Sequence, residues 1–461
     1  MAETTTKIAN ARYAITVDER RRIIRDASIV IRGDRIVAVG RAADLADVPA
    51  DRVIDATRMV VTPGFINTHD HLYPQLMRGL FPDTMIGAPY IRDSCALRQS
   101  MSDEEQYVST LSALAEHLVN GTTCVVNPGD AERVDPAIQA YEDSGARVIV
   151  GRCVTDRPDI SHTPVMSTED ALADLESTVR TYDGRCDGRV RGWVMLSYGV
   201  GPCSPELLTG AKRLADELGT GLTFHQSARQ AQVDDSIKAY GMRPIEYLAE
   251  VGALGDNVLL GHAVALDERE IDLMARTGTR AAQCPVPSLR LGFGTTRIGK
   301  LPELLDAGVV VGLGTDSPDF ASTDLLRTVF LAATLYKDAR QDTNLVPAEA
   351  ALELATIRGA EAVGLAQDIG SITVGKKADL VLFDTDRPEW SPLLNPINTL
   401  VYNADGRSVH TVLVDGRTVV EAGKPTFTDQ TSLVSRLQQA SESLIERTGV
   451  EVAAPRWPVE S

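Results

Sequence analysis

Five side chains that could bind a metal ion each follow a short apolar run of the sequence. His69 and His71 end the run GFINTHDH, His225 ends GLTFH, His262 ends NVLLGH and Asp316 ends VVVGLGTD. Residues two apart in an extended strand point the same way, so His69 and His71 can face one ion. Nitrogen and oxygen ligands suit Zn²⁺, Fe²⁺, Co²⁺ or Mn²⁺, and three or four of them leave room for a water. The pattern predicts a site for one divalent metal ion.

Such a site predicts hydrolytic chemistry. A divalent ion lowers the pKa of a bound water to about 7, which makes hydroxide available at neutral pH. Asp316 could accept the proton of that water, and His262 could orient it or stabilise an oxyanion, so these two residues are the candidate catalytic groups. The structural alternatives are a core histidine bonded to backbone for His262 and a helix N-cap for Asp316.

The middle of the chain supplies the elements that would position these groups. Eight apolar runs alternate with amphipathic helical patterns, most of which end at a glycine typical of a helix C-cap. Eight strand-plus-helix units within about 300 residues favour a (β/α)₈ TIM barrel over a doubly wound sheet, and barrel active sites lie where the strands end. We therefore predict an α/β fold whose metal-binding barrel spans residues 63–365.

Both ends of the chain have a different, β-rich character. Residues 1–62 and 366–431 contain short alternating runs, with turn signals at Gly33-Asp34 and Asp415-Gly416. Neither end is large enough for a good core, so the two are predicted to form one small composite β-sandwich. Residues 432–461 are predicted as a C-terminal helix and tail.

Composition excludes several classes of protein. The chain has 461 residues and a formal charge of −18, with no basic cluster, so binding to nucleic acid or to an anionic membrane surface is not expected. It has neither an apolar run of membrane-spanning length nor a secretory signal, which predicts a cytoplasmic protein. The six cysteines form no CxxC pair and are interpreted as single thiols. A small-molecule substrate is expected.

The string PGFINTHDHLYPQLMRG, with His225, GHAVA, GLGTD and the late GKKADLVLFD, resembles the amidohydrolase superfamily over nearly the whole chain. Within it, the chain is most similar to the branch of cytosine deaminases and s-triazine hydrolases. The resemblance implies a distorted barrel, a two-segment β-sandwich and one metal held by His69, His71, His225 and Asp316, with His262 beside the metal water. It also implies a homo-oligomer, a dimer or higher.

Two positions depart from the deaminase pattern. Deaminases of this branch carry a glutamate three residues after the fifth-strand histidine, which protonates a ring nitrogen, and here that position is Ala228. Without another acid such as Asp234 or Asp235, the chain is predicted to hydrolyse a urea, carbamate or thiocarbamate, as molinate and phenylurea hydrolases do. The alternative is an aminohydrolase of a purine, pyrimidine or s-triazine, and a non-catalytic relative is a third reading. Gln283 replaces a histidine found in many relatives.

Substrate contacts are predicted from the loops that follow the strands. The candidates are Tyr73, Gln75 and Asn127, together with Gln283, for which a structural amide is an equal alternative. The segment DTMIGAPYIRDSCALRQSM is predicted to cover the site. Arg78 and Arg92 could bind an acidic substrate, although surface or salt-bridged roles are the more common use of such arginines.

Overall fold

Strands from both ends of the chain form one nine-stranded mixed sheet. The computed structural model describes residues 3–85, 87–129, 134–158, 163–454 and 457. The strands of this sheet are β1 (Thr5–Ile15), β2 (Ile23–Arg32), β3 (Arg35–Arg41), β4 (Arg52–Asp55), β5 (Met59–Pro63), β16 (Leu380–Asp384), β17 (Val409–Val414), β18 (Arg417–Glu421) and β19 (Lys424–Pro425). They run in the order β19-β18-β17-β16-β5-β1-β2-β3, with β4 paired to β1. Both predicted hairpins, β2–β3 and β17–β18, are present.

The middle of the chain forms a ten-stranded parallel sheet that closes on itself. Its strands are β6 (Phe65–Asn67), β7 (Thr122–Asn127), β8 (Arg147–Val150), β9 (Cys153–Val154), β10 (Val190–Gly192), β11 (Val194–Tyr198), β12 (Leu222–Gln226), β13 (Val258–His262), β14 (Arg280–Gln283) and β15 (Val311–Leu313). Two of the eight barrel positions are broken strands, β8 with β9 and β10 with β11. Because β8 pairs with β10 and β9 with β11, the ring is complete, and the predicted distorted barrel is confirmed.

Helices surround the barrel, and their ends carry ordinary capping residues. Ser102, Ser204 and Asp267 accept hydrogen bonds at N-termini, and Gly145, Gly219 and Gly278 adopt the left-handed conformation after C-termini. The helices are α1 (Ala88–Ser100), α2 (Asp103–Val119), α3 (Asp135–Ser144), α4 (Thr168–Tyr182), α5 (Pro205–Leu218), α6 (Gln230–Tyr240), α7 (Pro244–Glu250), α8 (Glu268–Thr277), α9 (Pro285–Arg290), α10 (Thr295–Ile298), α11 (Leu301–Asp306), α12 (Leu325–Arg340), α13 (Ala348–Leu354), α14 (Ile357–Ala362), α15 (Pro396–Tyr402) and α16 (Gln430–Thr448).

None of the helices in the described part of the chain has the length and apolarity needed to cross a membrane.

A buried ion-pair cluster joins the barrel to the mixed sheet. Arg147 on β8 contacts Asp379 at 3.1 Å and Asp415 at 2.7 Å, and all three side chains are at most 7% exposed. Burial disfavours the charged guanidinium, but the two carboxylates together raise the pKa of Arg147 above its ordinary value. The cluster therefore couples the two parts of the fold through charges that are shielded from water.

Helix α16 packs on the outside of the barrel against α1 and α2. Leu444 is buried with Leu76 and Leu97 in one apolar cluster. Ser441 Oγ donates a hydrogen bond to the Leu76 carbonyl at 2.7 Å, and Arg447 forms an ion pair with Glu105 at 2.7 Å. The helix thus supports the segments that follow β6.

Candidate active site

The ends of two adjacent barrel strands bring three of the predicted metal ligands together. Past β6 and β15, the Asp316 amide donates to the His69 carbonyl at 2.9 Å, and the His71 amide donates to the Asp316 carbonyl at 2.5 Å. The side chains meet on the same side: Asp316 Oδ1 lies 3.5 Å from His69 Nε2 and 3.7 Å from His71 Nε2. Backbone pairing therefore sets the spacing of this trio.

Two further histidines complete the group from neighbouring strands. His225 Nε2 on β12 lies 3.1 Å from His71 Nε2. One ligand atom from each of His69, His225, His262 and Asp316 lies within 4.8 Å of the others. His225 Nδ1 contacts the Ser197 carbonyl at 2.6 Å, which directs its Nε2 towards the group. All five side chains predicted to surround the metal thus converge at one mouth of the barrel.

The chemical state of these residues fits a cation. Burial lowers the pKa of His71 to about 3 and that of His262 to about 4, so both imidazoles are neutral, which is the form that binds metals. Burial alone would raise the pKa of Asp316, but its contacts with His69 and His262 hold that pKa below its usual value. Both ring nitrogens of His69 are buried without a hydrogen-bond partner, and a divalent ion would satisfy this unmet bonding capacity.

The backbone is strained where it presents two of these groups. His262 has a φ of 71° and Asp316 a φ of 70°, a left-handed conformation that non-glycine residues rarely adopt. Gln283 lies beside the first of these turns, and its amide nitrogen donates to the carbonyls of His262 at 2.6 Å and Ala263 at 3.0 Å. Gln283 therefore holds the backbone that presents His262.

We expect Gln283→Leu to lower kcat about 10- to 100-fold, because the His262 turn loses the two hydrogen bonds that Gln283 donates. Metal content is expected to stay at the wild-type level, since no proposed ligand is removed. Steady-state kinetics and metal analysis of the purified variant test this. Gln283→Glu is the matched control. It keeps the size of the side chain but replaces the amide, which donates the two hydrogen bonds, with a carboxylate that faces the two carbonyls. A Gln283→Leu enzyme with wild-type kcat would contradict the positioning role.

A buried polar network lies behind the metal-facing side chains. Asn67 Oδ1 accepts hydrogen bonds from the backbone amides of His69 at 3.2 Å and Thr315 at 3.3 Å. Asp70, fully buried, accepts a short hydrogen bond from Thr315 and lies 3.5 Å from His117 Nε2. Neither Asp70 nor His117 was selected in the sequence analysis. Strand alternation could have identified Asp70, because it turns this side chain away from the ion and places it behind His69 and His71.

A cavity of about 160 Å³ opens onto the metal-facing groups. Helix α1, in the segment predicted to cover the site, forms one wall with Tyr90, Ile91 and Arg98, and Tyr73 and Ala228 also line the cavity. Asp316 is the only carboxylate among the described residues on its surface. Asp234 and Asp235, considered as substitutes for an acid at position 228, are both exposed and do not line it.

The four expected substrate contacts are placed differently. Tyr73 lines the cavity, with its ring 6.0 Å from that of His71. Gln75 instead donates to Glu116 at 2.9 Å, and Asn127 donates to the Tyr141 hydroxyl at 3.0 Å. Gln283 binds backbone, as described above. Of the four, Tyr73 alone is on the cavity surface.

The two arginines that could bind an acidic substrate lie away from the cavity. Arg78 is paired with Glu116 at 2.7 Å and Arg92 with Asp93 at 2.6 Å, so both serve as salt-bridged arginines. His162 lies outside the described residues, and His410 is on β17 of the mixed sheet.

Comparison with known proteins agrees with this arrangement. Residues 60–419 match the model of the amidohydrolase family. A 5'-deoxyadenosine deaminase of Methanobrevibacter smithii is 30% identical over 426 residues, which cover 91% of this chain and 94% of that protein. An adenosine deaminase from Xanthomonas campestris with bound zinc has a TM-score of 0.88 at 26% identity, covering 96% of this chain and 99% of its own.

A second solved structure widens the range of substrates among similar proteins. Atrazine chlorohydrolase from Arthrobacter aurescens TC1, complexed with zinc, has a TM-score of 0.86 at 27% identity and covers 95% of this chain and 100% of its own. The family match, the zinc in both solved structures and the cluster of histidines and Asp316 lead to one conclusion. The chain belongs to the amidohydrolase family and is a metal-dependent hydrolase of carbon–nitrogen bonds that uses one divalent metal ion.

Proposed function

We propose that the enzyme is an aminohydrolase that replaces the exocyclic amino group of an aminopurine nucleoside with oxygen. The observation that carries this proposal is the convergence of four histidines and Asp316 at the mouth of a barrel, in a chain similar over nine-tenths of its length to a 5'-deoxyadenosine deaminase. This is the deaminase alternative of the sequence analysis. It takes precedence over a urea or carbamate substrate because the similar proteins act on amino-substituted rings.

Each group has a proposed role. His69, His71, His225 and Asp316 would hold the ion, which when bound lowers the pKa of water so that hydroxide is available at neutral pH. The Asp316 carboxylate would accept the proton of the attacking water. His262 would donate a hydrogen bond towards the oxygen that becomes negatively charged as the water attacks.

The proton for the ring nitrogen must come from a residue other than Ala228. The hydroxyls of Ser317 and Tyr90 lie on the cavity surface, and both donate hydrogen bonds to the buried carboxyl of Asp319. Burial raises the pKa of Asp319 to about 6, so part of the enzyme holds a proton there near neutral pH. In our proposal the protonated Asp319 carboxyl donates its proton to Ser317 Oγ while Ser317 donates its own hydroxyl proton to the bound ring, so that Asp319 is left as a carboxylate.

An ammonia-release assay tests the proposed function. The purified enzyme is stripped with a chelator, reloaded with Zn²⁺, Mn²⁺ or Co²⁺, and supplied with adenosine, 5'-deoxyadenosine, cytosine or an amino-triazine. We expect ammonia from the adenine nucleosides only after metal is restored. Absence of ammonia from every compound, with stoichiometric metal bound, would overturn the proposal.

Hydrolysis of a urea, carbamate or thiocarbamate is the second candidate function, and a specific observation favours it. A true carbonyl needs no ring protonation, and the position of the deaminase glutamate is occupied by Ala228, which lines the cavity. Release of a larger amine or thiol together with CO₂, in place of ammonia from a nucleobase, would identify this activity.

The variant Ala228→Glu separates the two candidates. A carboxyl at position 228 is expected to raise ammonia release from an aminopurine about tenfold or more, because it adds an acid where ring protonation is needed. It is not expected to raise hydrolysis of a urea or carbamate. Rates for one substrate of each class, measured on the same preparation, give the answer, and a gain confined to the urea would contradict this reasoning.

A further inference from the structure

Arg229 brings a positive charge to the active-site cavity beside the position of the missing glutamate. It is the residue before α6, is partly buried, and lines the same cavity as His71, His262 and Ala228. One nitrogen of its guanidinium lies 3.8 Å from the position that a Cβ at Gly87, the residue before α1, would occupy. The side chain therefore reaches between the loop after β12 and the start of the covering helix.

The guanidinium of Arg229 has no ion pair or hydrogen bond with any described residue of the chain. This sets it apart from the arginines that the sequence suggested as anion binders, since Arg78 and Arg92 are both paired with carboxylates. Partial burial removes some of the water around this charge, and no group of the described chain replaces that water. At a cavity surface, a ligand is the natural source of the missing partner.

We propose that Arg229 recognises an oxyanion on the substrate, a carboxylate or a phosphate, and so selects acidic substrates over neutral ones. This corner of the cavity has Ala228 in place of the deaminase glutamate and carries the positive charge of Arg229. Guanidinium groups bind carboxylate and phosphate through paired N–H donors. The inference deepens the proposed function and rests on it only for the choice of ring substrate.

The net charge of the chain also bears on how an anion would bind at Arg229. The chain carries a formal charge of −18, which repels an approaching anion. Within the described cavity surface, Arg229 and Arg98 are the cationic side chains, and Arg98 lies over the Tyr73 ring at 5.7 Å. Binding of an anion would therefore depend on the positive charges within the cavity and not on the net charge of the protein.

The test uses two matched substrate pairs with the metal-loaded full-length enzyme. Adenosine and adenosine 5'-monophosphate form the first pair, and phenylurea and 4-ureidobenzoate the second. We expect kcat/KM at least tenfold higher for the acidic member of the pair that is hydrolysed. Arg229→Gln is expected to lower kcat/KM for the acidic member about 10- to 100-fold, with a much smaller loss for the neutral member. Arg229→Lys, which keeps the charge, should recover part of the loss.

Arg213→Gln is the control, because Arg213 is an exposed arginine on α5 whose removal changes the net charge by the same amount. It is expected to leave both members unchanged. Equal losses for acidic and neutral members in Arg229→Gln, or a preference for the neutral member in the wild type, would overturn the inference.

The two substrate pairs allow the inference about Arg229 to be tested separately from the proposed function. An acidic preference seen only for the urea pair would support Arg229 while contradicting the deaminase proposal. If neither pair is hydrolysed, calorimetric titration measures the binding of the same four compounds to the wild type and to Arg229→Gln. Equal binding to the two enzymes would count against the inference.

Discussion

Replacing His69 or Asp316 by alanine is expected to reduce turnover by at least about 10³-fold, because each variant removes a side chain from the proposed metal-binding group. His69 is almost fully buried and Asp316 is 3.5 Å from it. We expect bound metal to fall well below one ion per chain in both variants. Kinetics after metal reloading, together with metal analysis, measure the two effects.

These variants should remain folded, since the site lies at the barrel mouth and not in its apolar interior. Circular dichroism and the thermal midpoint provide that check. The matched control is His410→Ala, which removes an imidazole from β17 of the mixed sheet and should keep both metal and activity. Wild-type activity in a correctly folded His69→Ala or Asp316→Ala enzyme would refute the metal assignment.

Arg147→Met is expected to lower the free energy of unfolding by about 3–5 kcal/mol, because it leaves two buried carboxylates without their cation. Asp379 and Asp415 are 1% and 7% exposed and both contact Arg147. Burial already raises the pKa of Asp379, and loss of the guanidinium removes the main opposing influence. Urea unfolding followed by fluorescence measures the change.

Arg417→Met is the corresponding control at an exposed ion pair. Arg417 lies 3.3 Å from Asp187, and the two side chains are 67% and 72% exposed. Water and salt screen this pair, so its loss is expected to change stability by less than about 1 kcal/mol. Equal effects of the two variants would show that burial of the Arg147 cluster does not determine its contribution.

The sequence predicted the barrel and the metal-facing residues because both depend on local patterns. Eight apolar runs correspond to the eight barrel positions, and strand ends identify the side chains at one mouth. His225 and His262 needed no knowledge of distant contacts to be selected. The broken strands β8–β9 and β10–β11 were not anticipated, since each interruption depends on pairing between segments far apart in the chain.

The sequence could not predict roles that depend on the direction in which a side chain points. Gln75 and Gln283 follow strands as substrate contacts should, yet one binds Glu116 and the other binds the His262 backbone. In the sequence, Arg229 is a weaker candidate for anion binding than Arg78 or Arg92. Only the set of neighbouring carboxylates distinguishes it from Arg78, and that set is a tertiary property.

The packing of α16 on the barrel has a consequence for the order in which the enzyme can mature during synthesis. The α1 wall of the cavity is made early, but the helix that buttresses it leaves the ribosome long afterwards. A nascent chain can therefore form its barrel strands before the support for the wall exists. Competence to hold substrate should arrive late, as a separate step after the barrel has formed.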